Sequence, residues 1–312
     1  MCLDSLLALD YPKDMLEIIV IDGQSQDGTL DILQQYKNKY PFIRILSNPR
    51  KIAPVALNIG IKNASHDYIM RVDAHSSISA NYVTTLIEQM SLLQADCVGG
   101  VMETKITNTN PKTSSIVKVL SNKFGIGNSM FRIGTEKPIP VDTVPFGLYK
   151  KSLFEKIGLY NEELIRNQDI ELSKRIINGG GKIFLIPQAR CTYYARESFS
   201  KLAQNNFQNG LWNILTVYIT KNLRSLSVRH YIPLFFVLSL ILPLFPGYLI
   251  HPLMPVLALV SLILYNLLII GICIRINTRD TSFLYLYWSF GVLHFSYGLG
   301  SLTGLFRFDK IF

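Results

Sequence analysis

The sequence predicts an α/β fold with a mostly parallel sheet, followed by C-terminal transmembrane helices. Apolar runs bounded by turn residues alternate with helical patterns in the first part of the chain, which is typical of a sheet covered on both faces. The 312 residues suffice for one sizeable domain and a smaller region. The mean hydropathy of +0.25 comes mainly from the end of the chain, where few residues are charged. We therefore predict an α/β domain over residues 1–225 and a membrane region over residues 226–312.

The predicted elements of the α/β domain alternate regularly. In chain order they are the strand "LEIIVIDG", a helix over 30–40, the strand "FIRILS", the helix "APVALNIGIKNA", the strand "YIMRVDAHS", a helix over 81–93 and the strand "DCVGGVME". Ligands of parallel sheets gather beyond the carboxyl ends of the strands. Asp22 and Asp73 occupy that position at the ends of two separate predicted strands.

A less regular part follows. Residues 105–142 are rich in Thr, Asn, Lys and Gly, and predict a long excursion with one short amphipathic helix near 114–122. Such excursions are uncommon unless they are functional. The stretch "NQDIELSKRI" then predicts a helix that begins at Asn167 with acidic residues in its first turn, and the strand "KIFLIP" follows a triple-glycine turn.

The tail contains three apolar stretches, Ile232–Ile250, Leu253–Ile274 and Phe283–Phe306. Each approaches the roughly 20 residues that cross a bilayer. In the third, Gly300 and Gly304 have the spacing that lets helices pack closely. Basic residues before the first stretch and between the second and third predict that these sides face the cytoplasm. Three crossings would place Arg307 and Lys310 outside, whereas a re-entrant stretch would not, so both two and three spans stay open.

The charge of +9 limits the partners. A basic chain can bind nucleic acid, anionic lipid or a phosphorylated substrate. Lys221, Arg224 and Arg229 precede the first apolar stretch, which favours the membrane surface. The sequence has no zinc-finger spacing, RNA-binding aromatic signature or long basic run, so we expect no binding to nucleic acid. The four scattered cysteines predict neither a disulfide framework nor a metal cluster.

Acidic residues at strand ends and helix starts are the candidate site residues. Asp22 and Asp27 flank a turn, where they either shape a helix entry or bind a base or ribose. Asp73 and His75 alternate along a predicted strand and so share a face. They either cap the strand or bind Mg²⁺ or Mn²⁺ that carries a diphosphate.

The helix that begins near Asn167 presents a second choice. Asn167 caps the first turn, and the acids either suit the helix dipole or include a base that takes a proton. Glu171 points roughly 200° away from Asp169 along the helix, so the two acids do not act as a pair. We therefore expect Asp169 to be the base and Glu171 to support the fold. Trp212 is either an interfacial anchor or a ring on which sugars stack.

Taken together, these residues resemble family 2 glycosyltransferases with the GT-A nucleotide-sugar fold. The resemblance is greatest to succinoglycan-type membrane enzymes of exopolysaccharide biosynthesis. Its motifs cover nearly the whole chain; they are "EIIVIDGQSQDGT", "ALNIGIKNASHDYIMRVDAHS", "FGIGNSMFR", "VDTVPFGLYKKSLFEKIGLYNEELIRNQDIEL" and "HFSYGLGSLTGLF".

The resemblance implies a role for each candidate residue. Asp22, with Asp27 in the turn, would bind the nucleotide-sugar; Asp73, with His75, would hold Mg²⁺ or Mn²⁺ on its diphosphate; and Asp169 would deprotonate the acceptor hydroxyl. Gln208 and Trp212 match the ends of the Gln-x-x-Arg-Trp acceptor motif of processive relatives. The sequence departs from the family where Leu211 replaces the motif arginine, where His75 replaces a carboxylate, and at the first strand with its Asn-Glu turn, which has no counterpart here.

The implied activity is inverting transfer from a nucleotide-sugar, UDP-hexose in the first instance, to a lipid-linked or polysaccharide acceptor. The enzyme would be a multi-pass protein of the cell membrane with a cytoplasmic catalytic domain. Two alternatives are transfer of one sugar to a polyprenyl phosphate, and a non-catalytic membrane scaffold that binds nucleotide-sugars.

Overall fold

The computed structural model describes residues 2–307, and the chain divides into two compact units. The first unit comprises residues 1–103 and 134–193, and the second comprises 104–133 and the residues from 194 onward. Residues 105–133 of the predicted excursion thus group by their contacts with the C-terminal helices, whereas residues 134–142 belong to the first unit. The division at residue 225 into a catalytic and a membrane region stays a prediction.

The first unit contains the alternating elements that the sequence predicts. The chain begins with α1 (Cys2–Leu7), β1 (Ile18–Asp22), α2 (Thr29–Lys39), β2 (Ile43–Ser47), α3 (Ala53–Asn63), β3 (Tyr68–Met70), β4 (Ser76–Ile78), α4 (Tyr82–Leu93) and β5 (Cys97–Lys105). A 3₁₀ turn at Lys13–Met15 precedes β1. The second unit supplies α5 (Pro111–Leu120), α6 (Lys123–Ile126) and α7 (Met130–Ile133). The chain then completes the first unit with β6 (Ile139–Pro140), β7 (Leu148–Lys150), α8 (Lys151–Ile157), α9 (Gln168–Asn178) and β8 (Ile183–Tyr194).

The strands form two sheets. β1 and β2 pair in parallel, with Ile18 opposite Ile43 and Asp22 opposite Ser47. The second sheet has the order β3-β7-β5-β8-β4, with β6 also paired to β8. Its β3–β7, β5–β7, β4–β8 and β6–β8 pairs are antiparallel. The α/β class with parallel pairing is confirmed, and the four antiparallel pairs join strands that are not consecutive in the chain.

Side chains of α4, α9 and β8 fill the core of the first unit. Leu86 and Met90 of α4, Leu172 and Ile176 of α9, and Leu185 and Ile186 of β8 are almost fully buried. At Gly100 a Cβ atom would lie 2.4 Å from the Ala189 carbonyl oxygen of β8, so glycine is what lets the two strands approach.

The second unit is helical beyond β8. It contains α10 (Phe199–Thr220), α11 (Ile232–Leu244), α12 (Pro246–Ile250), α13 (Met254–Ile276) and α14 (Phe283–Leu305), with 3₁₀ turns at Leu223–Ser225 and Val228–Tyr231. Two segments, Val228–Ile250 and Met254–Ile276, are long and apolar enough to cross a membrane. They correspond to the first two predicted stretches.

The third predicted stretch, α14, packs closely on α10 instead of being mainly exposed. A Cβ atom on Gly300 would lie 2.0 Å from the Phe207 carbonyl oxygen, and one on Gly304 would lie 2.8 Å from Cβ of Ile214. The Ser301 hydroxyl donates a hydrogen bond to the Gly210 carbonyl oxygen at 3.1 Å. The predicted close packing at Gly300 and Gly304 is therefore confirmed.

Candidate active site

An arginine joins two of the three predicted acids. The Arg71 guanidinium donates from Nε to Asp73 Oδ1 at 2.9 Å and from Nη2 to Asp73 Oδ2 at 3.2 Å. Its third nitrogen, Nη1, lies 3.8 Å from Asp169 Oδ2. Asp73 and Asp169 are 96 positions apart in the chain, and Arg71 brings them to one place in the first unit.

The strand that was predicted to run through "YIMRVDAHS" is interrupted at this arginine. β3 ends at Met70, residues 71–75 leave the sheet, and β4 begins at Ser76. The expectation that Asp73 and His75 share one face of a strand is therefore wrong. The Arg71 side chain pairs with Asp73 within this interruption, and the Ser76 amide donates to the Asp73 carbonyl oxygen at 3.0 Å, which closes a turn before β4.

The surroundings of Arg71 hold it in the charged form. Burial by itself would lower the pKa of Arg71, but the carboxylates of Asp73 and Asp169 outweigh that effect and raise the pKa further above its ordinary value. Burial also raises the pKa of the nearby Tyr160 hydroxyl to about 12, so this ring is neutral and can serve only as a hydrogen-bonding and packing partner. Arg71 is thus a fixed positive charge between two carboxylates.

Asp169 sits in the first turn of α9, as the sequence predicts. Its Oδ1 accepts a hydrogen bond from the Ile170 amide at 2.9 Å, and its side chain is 42% exposed. Asn167 precedes the helix with φ of 62° and makes no side-chain capping bond, so the expectation that Asn167 caps the turn through its side chain is wrong. In this left-handed conformation Asn167 redirects the chain into the helix, which asparagine tolerates better than most residues.

Charged and amide side chains fasten the loop before Asp169. Glu171 receives two bonds from Arg175, at 2.6 and 2.9 Å, and Arg175 also donates to the carbonyl oxygens of Ile157 and Leu159. Asn58 exchanges two bonds with the Tyr160 backbone, both at 2.9 Å. The expectation that Glu171 supports the fold is confirmed, and these contacts fix the position from which Asp169 extends.

Asp22 and Asp27 organise the turn after β1. The buried Asp22 carboxylate accepts from the Ser25 hydroxyl at 2.6 Å and from the Ser25 amide at 3.1 Å. Asp27 accepts from the Thr29 hydroxyl at 2.6 Å and from the Thr29 amide at 3.2 Å, and these bonds lower the pKa of Asp27. Asp22 lines an open cleft of about 500 Å³ together with the end of β2. The described contacts of Asp22 and Asp27 are local and do not reach Arg71.

The two residues predicted to hold a divalent ion differ in their suitability. Asp73 is partly exposed and supplies one carboxylate, although Arg71 occupies both of its oxygens. His75 is exposed, and its ring lies edge-on to Tyr193 with centroids 6.5 Å apart. Among residues 2–307, no three His, Cys, Asp or Glu side chains cluster as metal ligands. Of the two residues, Asp73 has the chemistry of a ligand for Mg²⁺, which takes one or two carboxylates from a protein and its other ligands from phosphate and water.

Gln208 and Trp212 lie in the second unit, one turn apart on α10, and both are half-buried. Leu211, which replaces the motif arginine, is only 8% exposed, and its carbonyl oxygen lies against Gly304 of α14. An arginine at this position would place its charge on the packed side of the helix. The acceptor-binding roles of Gln208 and Trp212 stay predictions.

Arg71 is the residue that sequence reasoning missed. A single arginine in an apolar run carries no motif. The available signal was the pattern "RVD" itself, in which a basic residue stands two positions before an acid at the end of a predicted strand. Charged residues are rarely buried unless they are paired, so this arginine was a candidate for an ion pair.

Comparisons with known proteins agree on the family. Residues 1–158 match the model of Glycosyl transferase family 2. The dolichyl N-acetyl-alpha-D-glucosaminyl phosphate 3-beta-D-2,3-diacetamido-2,3-dideoxy-beta-D-glucuronosyltransferase of Methanococcus voltae is 30% identical over 217 residues, which are 67% of this chain and 66% of that protein. The succinoglycan biosynthesis protein ExoA of Rhizobium meliloti (strain 1021) is 28% identical over 195 residues, 62% of this chain and 58% of that protein. The chain therefore spans less than two thirds of the length of each of these relatives, 66% and 58% respectively.

A solved structure shares the fold. The mannosyltransferase from Pyrobaculum calidifontis, in complex with GDP-Man and Mn²⁺, superposes with a TM-score of 0.59 at 15% identity, over 97% of this chain and 81% of that one. This likeness confirms the predicted GT-A fold. Since the family model extends over half of the sequence, the chain belongs to glycosyltransferase family 2.

Proposed function

We propose that the protein is an inverting glycosyltransferase, which moves a hexose from UDP to a hydroxyl of a lipid-linked or polysaccharide acceptor at the cytoplasmic face of the cell membrane. The observation that carries the proposal is the Arg71-linked pair of Asp73 and Asp169 in a family 2 chain. The two acids come from separate parts of the chain and meet at the Arg71 guanidinium.

Asp169 is the base in this proposal. An acceptor hydroxyl is a poor nucleophile near neutral pH, and a positioned base contributes roughly 10²–10⁴-fold to the rate. The Asp169 carboxylate meets the requirements because it is partly exposed, is fixed by the Ile170 amide and lies at the positive end of α9. Direct displacement with inversion needs one base, and the neighbouring Glu171 is engaged with Arg175.

Asp22, Asp27 and Asp73 form the donor side. The nucleotide would bind in the cleft beside the turn after β1. Asp22 and Asp27, which shape this turn, support that location. Asp73 would hold Mg²⁺ or Mn²⁺, with His75 as a second candidate ligand. The ion would neutralise the charge that develops on the leaving diphosphate.

Membrane attachment rests on the two apolar segments and on the relatives. The Methanococcus voltae relative is named for a dolichyl N-acetyl-glucosaminyl phosphate, and the Rhizobium relative is named for the biosynthesis of succinoglycan. Both names support an acceptor that is lipid-linked or part of a growing polysaccharide. In the proposed arrangement Gln208 and Trp212 contact that acceptor.

A donor screen with the purified full chain tests the proposal. Nucleoside diphosphate release is measured for UDP- and GDP-sugars with a lipid-linked saccharide or a bare polyprenyl phosphate, with and without EDTA. We expect release from a UDP-hexose that requires the saccharide acceptor and a divalent ion. Release with bare polyprenyl phosphate alone would support the alternative transferase, and UDP binding without release under any condition contradicts catalysis.

A further inference from the structure

The basic charge of the chain is concentrated in the second unit. Its described residues, 104–133 and 194–307, contain thirteen Lys and Arg against two acids, Glu197 and Asp280. Residues 104–133 contain no acid at all. The first unit has slightly more acidic than basic residues, so the net positive charge of the chain lies in the second unit, which contains the apolar helices.

The two candidate spans run antiparallel. The rings of Phe236, near the start of α11, and Tyr265 of α13 stack with centroids 4.5 Å apart. At the other end, a Cβ atom on Gly247 of α12 would lie 3.1 Å from Cβ of Met254, which begins α13. The beginning of the first span and the end of the second therefore lie at the same end of the pair.

The segment α5–α7 is attached at that same end. Val119 of α5 packs in one buried cluster with Ile269, Ile272 and Cys273 near the end of α13. The Ser282 amide donates to the Ser115 hydroxyl at 3.1 Å, which ties α5 to the loop between α13 and α14. Arg229, just inside the first span, donates to the Asn128 carbonyl oxygen at 2.7 Å.

Three chain segments thus bring exposed cations to one end of the spans. We call this set the basic collar: Lys118, Lys123, Lys221, Arg224, Arg275 and Arg279. Exposed apolar side chains accompany it, with Leu223 71% and Val228 80% exposed. Cations mixed with exposed apolar groups beside a membrane span are the chemistry of the interface with anionic lipid.

We infer that the basic collar binds the headgroups of anionic phospholipids, and that α5–α6 is a membrane-surface element of the second unit. The inference rests on the membrane location proposed above but does not depend on the transfer reaction. Near an anionic surface each Lys or Arg contributes about 1 kcal/mol, which is about fivefold in affinity. Neutralising Lys118 and Lys123 together should therefore weaken headgroup binding about 25-fold.

Native mass spectrometry of the full chain in detergent tests this directly. Retention of phosphatidylglycerol is titrated against phosphatidylcholine for the parent and for K118Q/K123Q. A charge-preserving variant, K118R/K123R, and a matched variant in the first unit, K37Q/K39Q on exposed lysines of α2, serve as controls. We expect the preference for phosphatidylglycerol to fall about 25-fold in K118Q/K123Q alone.

Three outcomes would overturn the inference: equal retention of the two lipids by the parent, unchanged retention by K118Q/K123Q, or the same loss in K118R/K123R. Displacement of the lipid by micromolar inorganic pyrophosphate would also overturn it, since the collar would then be a diphosphate site. Sugar transfer is measured on the same preparations. Its absence would count against the proposed function and would leave the lipid result standing.

Discussion

Arg71 chelates Asp73 with both arms of its guanidinium group, at 2.9 and 3.2 Å, although only one residue separates them in the chain. Such bidentate pairs are stronger and more directional than single hydrogen bonds. The remaining nitrogen faces Asp169 at 3.8 Å. Arg71 thus sets the orientation of Asp73 and also places a positive charge beside Asp169.

Asp169→Asn should abolish most of the transfer activity. The amide keeps the size of the side chain but cannot take a proton from the acceptor, so we expect at least a hundredfold loss of kcat with unchanged UDP binding. Initial rates of nucleoside diphosphate release measure it. Glu163→Gln, which alters an exposed carboxylate in the loop before α9, is the matched control and should keep full activity. Full activity of the Asp169 variant would mean that another group is the base.

Arg71→Lys should impair transfer even though the charge is kept. Lysine cannot make the two parallel bonds to Asp73 while facing Asp169, because its ammonium group is a single point. We expect kcat of Arg71→Lys to fall at least tenfold. In Arg71→Gln the two carboxylates also lose their shared cation, so the thermal unfolding midpoint of this variant should fall as well. Arg50→Lys is the comparison, because Arg50 pairs with Glu162 at the surface and its loss should have little effect. A fully active Arg71→Gln would remove Arg71 from the site.

Glu17 should make the first unit more stable at neutral than at acidic pH. Burial alone would raise the pKa of Glu17, but bonds from the Ser65 amide and from Arg44 outweigh it and lower the pKa. A lowered pKa gives stability that is present above the unfolded value, near 4.3, and is lost as the pH falls through the folded value.

Thermal unfolding of Glu17→Gln and the parent at several pH values checks this. The parent should be more stable at pH 7, by no more than about 1 kcal/mol because Arg44 is well exposed. The difference should shrink below about pH 4. Glu88→Gln, on the exposed side of α4, should show no such trend.

Two glycines of α14 should respond oppositely to alanine. At Gly300 the new methyl group would meet the Phe207 carbonyl oxygen at 2.0 Å, whereas at Gly291 it would meet nothing within 4 Å. Gly300→Ala should destabilise by about 1–3 kcal/mol through overpacking, and Gly291→Ala should stabilise by up to about 1 kcal/mol through helix propensity. Unfolding midpoints in detergent measure both, and equal effects would contradict the packing of α10 on α14.

The sequence predicted the elements whose periodicity is strong. α2, α3 and α4 and strands β1 and β2 lie within two residues of their predicted bounds, because turn residues mark each end. The interruption at residues 71–75 was not predictable from the local pattern, since β-branched Val72 continues a stretch of strand-forming residues beyond Met70, where β3 ends. The pairing of Arg71 with Asp73 lies within this interruption.

Long-range grouping was the second limit. The predicted α/β domain over residues 1–225 includes α5–α7, which the chain forms before β7, β8 and α9. Its structural neighbours, among them Ile269 and Phe290, follow much later in the chain. No local pattern encodes this attachment, so the sequence placed Lys221 and Arg224 of the basic collar at the membrane surface but not Lys118 and Lys123.

The burial of α5 against α13 and α14 has a consequence for biosynthesis. Val119 leaves the ribosome about 150 residues before Ile269, and at roughly 5–20 residues per second this is a delay of about 8–30 s. During that interval the apolar face of α5 has no native partner. A nascent chain stalled before α13 would therefore expose this face, and it should be a substrate for chaperones and quality-control proteases.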